Sequence, residues 1–224
     1  MSALNSTYDN QAVAGGSTTT DSRALLGQVM GYVAVTVGFA ALGAYLGRDL
    51  SGGVGLLLLL ASIPVVFGLN VAADRGREQL AIGLLFALGL LLGLGVAPVI
   101  ADYAEADPSA LWQAAGATAA FVAGLGAYGY ATSRDLSSWA RPLFWALLAL
   151  IAFGIVAIFV SIPGGNLVYA IAGLVIFGGF TIVDFNRLRR STSDDAVPIA
   201  AAIFLDVFNI FLLALELFGG GRRD

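Results

Sequence analysis

Residues 196–218 read AVPIAAAIFLDVFNIFLLALELF, an apolar run of the length that a helix needs to cross a bilayer. One carboxylate, Asp206, lies near its middle, and a second, Asp184, ends the preceding apolar run, 166–184. An aspartate at the centre of a membrane helix costs about 2.5–3.5 kcal/mol on insertion scales, so such a group usually faces a protein-lined or water-filled interior. The sequence therefore predicts a membrane protein that uses two carboxylates within the bilayer.

Apolar runs of similar length recur along the whole chain. Apolar residues make up 58% of the sequence and the mean hydropathy is +0.88, which excludes an ordinary soluble domain. Short polar separators between the runs predict antiparallel neighbours in one all-α, seven-helix transmembrane bundle. The expected spans are 26–46, 54–73, 80–100, 110–131, 141–161, 166–184 and 196–218.

The bundle is expected to occupy residues 25–219. Residues 1–24 are polar and Ser/Thr-rich, which predicts a disordered N-terminal tail, and residues 220–224 form a short C-terminal tail. No charged segment with a cleavable apolar core opens the chain, so no signal peptide is expected.

All basic residues are arginines, and their placement indicates the orientation. With a cytoplasmic N-terminus, eight of the 11 arginines fall in inner segments, which the positive-inside rule favours. The C-terminus then lies outside. The terminal pair Arg222 and Arg223 is discordant, so a last hairpin that re-enters the membrane stays open as an alternative.

Missing residue types exclude several functions. Histidine and cysteine are both absent, which removes the usual haem ligands, zinc sites, disulfides and catalytic thiols. The absence of lysine excludes a retinal Schiff base, and Asp206 lacks the Gly-x-Gly context of intramembrane aspartyl proteases. We therefore expect no enzyme and no tightly bound cofactor. Any metal would need oxygen ligands, which favours hard cations such as Ca²⁺.

Polar residues on the last span fall within one sector of the helix. At about 100° per residue, Asp206, Asn209 and Glu216 share this face, which must point at other helices and not at lipid. The last span is therefore expected near the centre of the bundle, with Asn209 and Glu216 as pore-lining or supporting residues.

A short loop joins the last two spans, so Asp184 and Asp206 should lie close together. Two such carboxylates cannot both ionise cheaply and would share a proton, which makes a pH-dependent latch. Two alternatives remain at this point: Asp184 could be an interface residue solvated with Arg187 and Arg189, and Asp206 could have a purely structural hydrogen-bonding role.

Several short motifs resemble those of the transmembrane BAX inhibitor motif family, including its bacterial calcium-leak members. The stretch 204–211, FLDVFNIF, is similar to the closing signature of the family, and 182–186, IVDFN, to its penultimate-helix motif. Tyr128-Gly129 with the stretch 134–137, RDLS, resembles its fourth-to-fifth helix junction.

The resemblance implies a last helix wrapped by two layers of three helices, and a pH-sensitive leak of Ca²⁺ as permeant ion. By motif, Asp184 and Asp206 match the family's pH sensor and gate, where Ca²⁺ would bind only transiently, and Asn186 lies in the same motif as a supporting residue. A second-helix arginine would bond one aspartate in the open state; Arg75 is the nearest match and Arg77 the fallback. The family's bacterial members imply the plasma membrane of a prokaryote.

Two other functions compete with the leak. A regulatory membrane protein would modulate a protease or a cell-death partner by helix–helix contact, and a proton-coupled cation exchanger could use the same two carboxylates. The expected partners are the lipid bilayer, Ca²⁺, protons and a membrane protein, with no nucleic acid.

Overall fold

The computed structural model describes residues 22–157, 159–160 and 162–220. This part of the chain is helical apart from short turns and contains no strand. The helices are α1 (Ser2–Leu46, described from Ser22), α2 (Gly52–Asp74), α3 (Glu78–Ala106), α4 (Pro108–Ala131), α5 (Ser137–Phe159), α6 (Gly165–Arg190) and α7 (Ala196–Gly220), with a single 3₁₀ turn at Ser193–Asp195.

Seven described helices are long and apolar enough to cross a membrane, which confirms the predicted all-α, seven-helix fold. The tails predicted over residues 1–24 and 220–224 fall outside the described residues, apart from residues 22–24, which belong to α1, and Gly220, which belongs to α7.

The predicted C-terminal ends of two helices are wrong by six residues each, because a helix does not stop where its apolar run stops. α3 continues past residue 100 to Ala106, and α6 continues past Asp184 to Arg190. The last turn of α6 carries Arg187, Arg189 and Arg190, and cations are favourable at the C-terminal end of a helix dipole. Asp184 therefore lies inside a helix, about 9 Å before its end, and not at the end of a span.

The helices pack around α7. α1 and α2 contact α3, α4 and α5 contact α6, and α7 contacts α1, α2, α3, α4 and α6. The buried share of a span is 56% for α7 and 6% for α5, so α7 is the helix nearest the centre. Its wrapping by two distinct layers of three helices stays a prediction.

The outer surface of the bundle is apolar, as a lipid-facing surface must be. Tyr45, Trp112 and Trp139 are exposed close to helix ends, where amphipathic rings sit at the membrane–water interface.

Helices α1 and α3 approach each other so closely that glycine is required at their contact. A Cβ atom added to Gly93 would collide with the backbone of Ala40, and one added to Gly43 would collide with the backbone of Leu90. Small residues permit such close approach in membrane helices. The same helix α3 also carries Gly83, where an added Cβ would meet no atom within 4 Å.

We expect Gly93→Ala to lower the free energy of unfolding by about 1–3 kcal/mol, because the backbones of α1 and α3 must separate. Gly83→Ala is the matched control on the same helix and should leave stability unchanged or slightly raised, since alanine is the better helix former. Thermal unfolding of both variants in one detergent measures the difference. Equal melting temperatures would contradict the α1–α3 contact.

Candidate functional site

The two carboxyl groups of α6 and α7 meet inside the bundle. Asp184 lies on α6, Asp206 lies on α7, and their side chains are within hydrogen-bonding distance of each other. Asp206 is only 4% exposed, whereas Asp184 is partly buried. The two helices pack along each other, which brings together the groups that the short connection was expected to place side by side.

The environment of Asp206 leaves one oxygen without a donor. Among the described residues, Oδ2 of Asp206 is buried with no hydrogen-bond partner. The fully buried Thr181, one turn before Asp184, donates its hydroxyl to the carbonyl of Phe177 at 2.9 Å and also lies within reach of Asp206. Thr181 therefore lies beside Asp206 at the α6–α7 contact, while its hydroxyl donates within α6.

Arg187 is the cation that acts on this site. Its guanidinium lies close enough to Asp184 to interact electrostatically, and it also pairs with Asp195 at 3.9 Å. Both side chains of the latter pair are about half exposed, so water screens it and its contribution to stability is small. Arg187 therefore links the carboxylate pair to the turn that joins α6 to α7.

Asn186, two residues after Asp184, does not face the carboxylate pair but fixes the loop between α4 and α5. Its buried amide oxygen accepts from the backbone N–H of Leu136 at 3.2 Å. Its amide nitrogen faces the carbonyls of Gly129 at 3.2 Å, Arg134 at 3.1 Å and Thr132 at 3.5 Å. One side chain thus bonds backbone groups at the end of α4 and in the loop that follows it.

The arginines at the end of α6 add further contacts between α6 and the α4–α5 loop. Arg189 donates to the carbonyl of Thr132 at 2.7 Å, and Arg190 pairs with Asp135 at 3.1 Å. Asp135 also accepts a hydrogen bond from the backbone N–H of Ser137, which is the main reason that its pKa lies below the usual value. The turn of α6 that follows Asp184 is therefore held firmly against the α4–α5 loop.

Among the described residues, none of the other predicted site residues forms a hydrogen bond or ion pair with the carboxylate pair. Arg75 and Arg77 are exposed in the α2–α3 turn, and among the described residues neither forms an ion pair in this structure. The half-buried Asn209 donates to the carbonyl of Leu205 in its own helix at 2.7 Å, and Glu216 is partly buried near the end of α7. Pairing of Arg75 or Arg77 with an aspartate in an open state stays a prediction.

Thr181 is a site residue that sequence reasoning missed. Its signal was available, because a residue three positions before Asp184 must lie on the same face of a helix. The described residues hold no group of three or more acidic side chains that could bind a metal ion.

Comparison with known proteins places the chain in a family. Residues 22–223 match the family model described as inhibitor of apoptosis-promoting Bax1. Protein lifeguard 4 from mouse is 32% identical over 162 residues, covering 72% of this chain and 66% of that protein. The inner membrane protein YbhL of Escherichia coli is 25% identical over 176 residues, covering 74% of each chain, and a membrane protein of Vibrio cholerae is 27% identical over 187 residues, covering 83% and 82%. The chain therefore belongs to the BAX inhibitor motif family of integral membrane proteins.

Proposed function

We propose that this protein is a pH-sensitive calcium leak gated by Asp184 and Asp206. The observation that carries the proposal is a pair of adjacent carboxyl groups in the membrane, one of them with a buried oxygen that has no donor among the described residues. A proton shared between the two groups joins them, and its loss leaves two negative charges in contact. Protonation therefore decides whether α6 and α7 attract or repel each other at this point.

The proposed cycle has two states. In acid the pair is protonated and holds α6 against α7, so the path is closed; at alkaline pH the charged groups separate and the path opens. Arg75, or Arg77 in its place, would then take one of the aspartates. Ca²⁺ binds about six to eight oxygens in proteins, so two carboxylates would contact it only in passing.

We also propose that the arginine-rich turns of the bundle face the cytoplasm. Tyr130 at the end of α4 bonds the carbonyl of Ser22 at 3.2 Å, and Arg190 bonds Asp135, so the start of α1, the α4–α5 loop and the end of α6 lie on one side of the bundle. The arginine bias favours the cytoplasm for that side. We infer a plasma-membrane protein with its C-terminus outside.

The test is Ca²⁺ entry into dye-loaded proteoliposomes at acidic, neutral and alkaline pH, with protein-free liposomes as the control. We expect entry that follows the Ca²⁺ gradient alone and rises with pH. Entry that saturates and requires an opposing proton gradient would indicate an exchanger. No entry at any pH, with folded protein in the membrane, would overturn the leak.

A regulatory function is the second candidate, favoured by the description of the matching family as an inhibitor of apoptosis-promoting Bax1. Such a protein would act on a membrane protease or a cell-death partner through its lipid-facing helices. It would show no flux in pure liposomes but would retain a specific partner in mild detergent.

A further inference from the structure

A groove of about 1180 Å³ opens between α1 and α4, and neither Asp184 nor Asp206 lines it. α1 and α4 form its walls without packing extensively on each other, and α3 and α7 form its floor. The walls are built from small side chains, such as Ala41 and Ala44 on α1 and Ala115, Ala119 and Ala123 on α4. This volume exceeds the usual range of about 300–1,000 Å³ for small-molecule pockets.

The groove is apolar inside and charged at one end. Phe204, Phe208 and Phe211 of α7 line its floor, whereas the charged residues Arg48, Asp49 and Glu105 line its mouth, near the ends of α1 and α3. Such an apolar lining is a poor path for a hydrated cation. It suits a hydrocarbon chain.

The mouth offers charges of both signs. The guanidinium of Arg48 lies over the ring of Tyr45, 4.9 Å from its centroid, and pairs with Asp49 at 3.6 Å. Both members of that pair are largely exposed, and Glu105 adds a second exposed carboxylate. One cation and two carboxylates at a membrane surface complement a headgroup that carries a phosphate and an ammonium.

Inside the groove, one polar group has no partner. Thr118 of α4 is 4% exposed, lines the groove, and its hydroxyl is buried with no hydrogen-bond partner among the described residues. Buried hydroxyls normally have such a partner.

We propose that the groove is a binding site for one zwitterionic phospholipid of the phosphatidylethanolamine type. An acyl chain lies between the alanine walls on the aromatic floor, the phosphate faces Arg48, and the ammonium faces Asp49 and Glu105. The occupant rests on the part of α7 that flanks Asp206, because Phe204, Val207 and Phe208 all line the groove. Binding itself does not depend on the calcium leak.

The experiment is native mass spectrometry of the delipidated protein after defined lipid is added back. Wild-type protein should retain phosphatidylethanolamine in preference to phosphatidylglycerol, which has no ammonium. Ala119→Phe fills the groove and should reduce retention at least about tenfold, equivalent to about 1.4 kcal/mol. Ala120→Phe is the matched control: Ala120 is the exposed neighbour that does not line the groove, and its variant should retain lipid as wild type does.

A second pair of variants tests the opposite wall and guards against misfolding of the first. Ala41→Phe should also lose the lipid, whereas Ala34→Phe, an exposed position of α1 outside the groove, should not. Glu105→Gln should shift the preference towards phosphatidylglycerol. Equal retention by Ala119→Phe, Ala41→Phe and wild type, retention of a protein partner in place of lipid, or a wild-type preference for phosphatidylglycerol would each overturn the proposal.

Discussion

Replacing Asp206 by asparagine is expected to make Ca²⁺ entry low and independent of pH. The asparagine amide has nearly the size of the carboxyl group and can donate to Asp184 at every pH, as a protonated Asp206 would. Wild-type entry should rise about tenfold or more from acidic to alkaline pH, because deprotonation leaves two adjacent negative charges. The variant lacks one of those charges, so α6 and α7 stay together.

The measurement is initial Ca²⁺ entry into proteoliposomes at several pH values, with equal amounts of folded protein. Asp194→Asn is the matched control, because Asp194 is an exposed aspartate in the turn before α7. Its replacement removes the same charge from outside the bundle. We expect Asp194→Asn to keep the wild-type pH profile and Asp184→Asn to behave as Asp206→Asn. An unchanged pH profile in both pair variants would refute the proposed gate.

Replacing Asn186 by leucine is expected to destabilise the protein more than replacing Asn209 of α7 by leucine. The buried N–H of Leu136 and the carbonyls of Gly129 and Arg134 lose their partner. Orphaned buried groups cost about 1–3 kcal/mol each, and water at the loop recovers part of this, so we expect a net loss of about 2–3 kcal/mol. For a chain of this size that lowers the melting temperature by roughly 5–10 °C.

The control is Asn209→Leu on the neighbouring helix. Within the described part of the chain, the Asn209 side chain bonds only the carbonyl of Leu205 in its own helix, so its removal leaves no group of another helix or loop without a partner. Its variant should melt within about 2 °C of wild type. Thermal unfolding of both variants in the same detergent tests the prediction, and equal losses would contradict the role of Asn186 in fixing the loop.

Hydropathy alone predicted seven spans, but it misplaced the ends of α3 and α6. A membrane helix satisfies its backbone hydrogen bonds internally and can continue into the interface after its apolar run has ended. For that reason Asp184 was expected at the end of a span, whereas six more helical residues follow it. Those residues carry Asn186, Arg189 and Arg190, whose loop contacts no local pattern could predict.

The sequence by itself determined the membrane class, the number of helices and the two aspartates, because apolar length and the cost of a buried charge are properties of local composition. Only the tertiary structure decided that Thr181 faces Asp206, that Asn186 serves the α4–α5 loop, and that a charged mouth opens onto an apolar groove between α1 and α4. These features depend on how helices distant in sequence rotate and approach one another. That geometry follows from packing along whole helices, so the sequence of a single segment does not determine it.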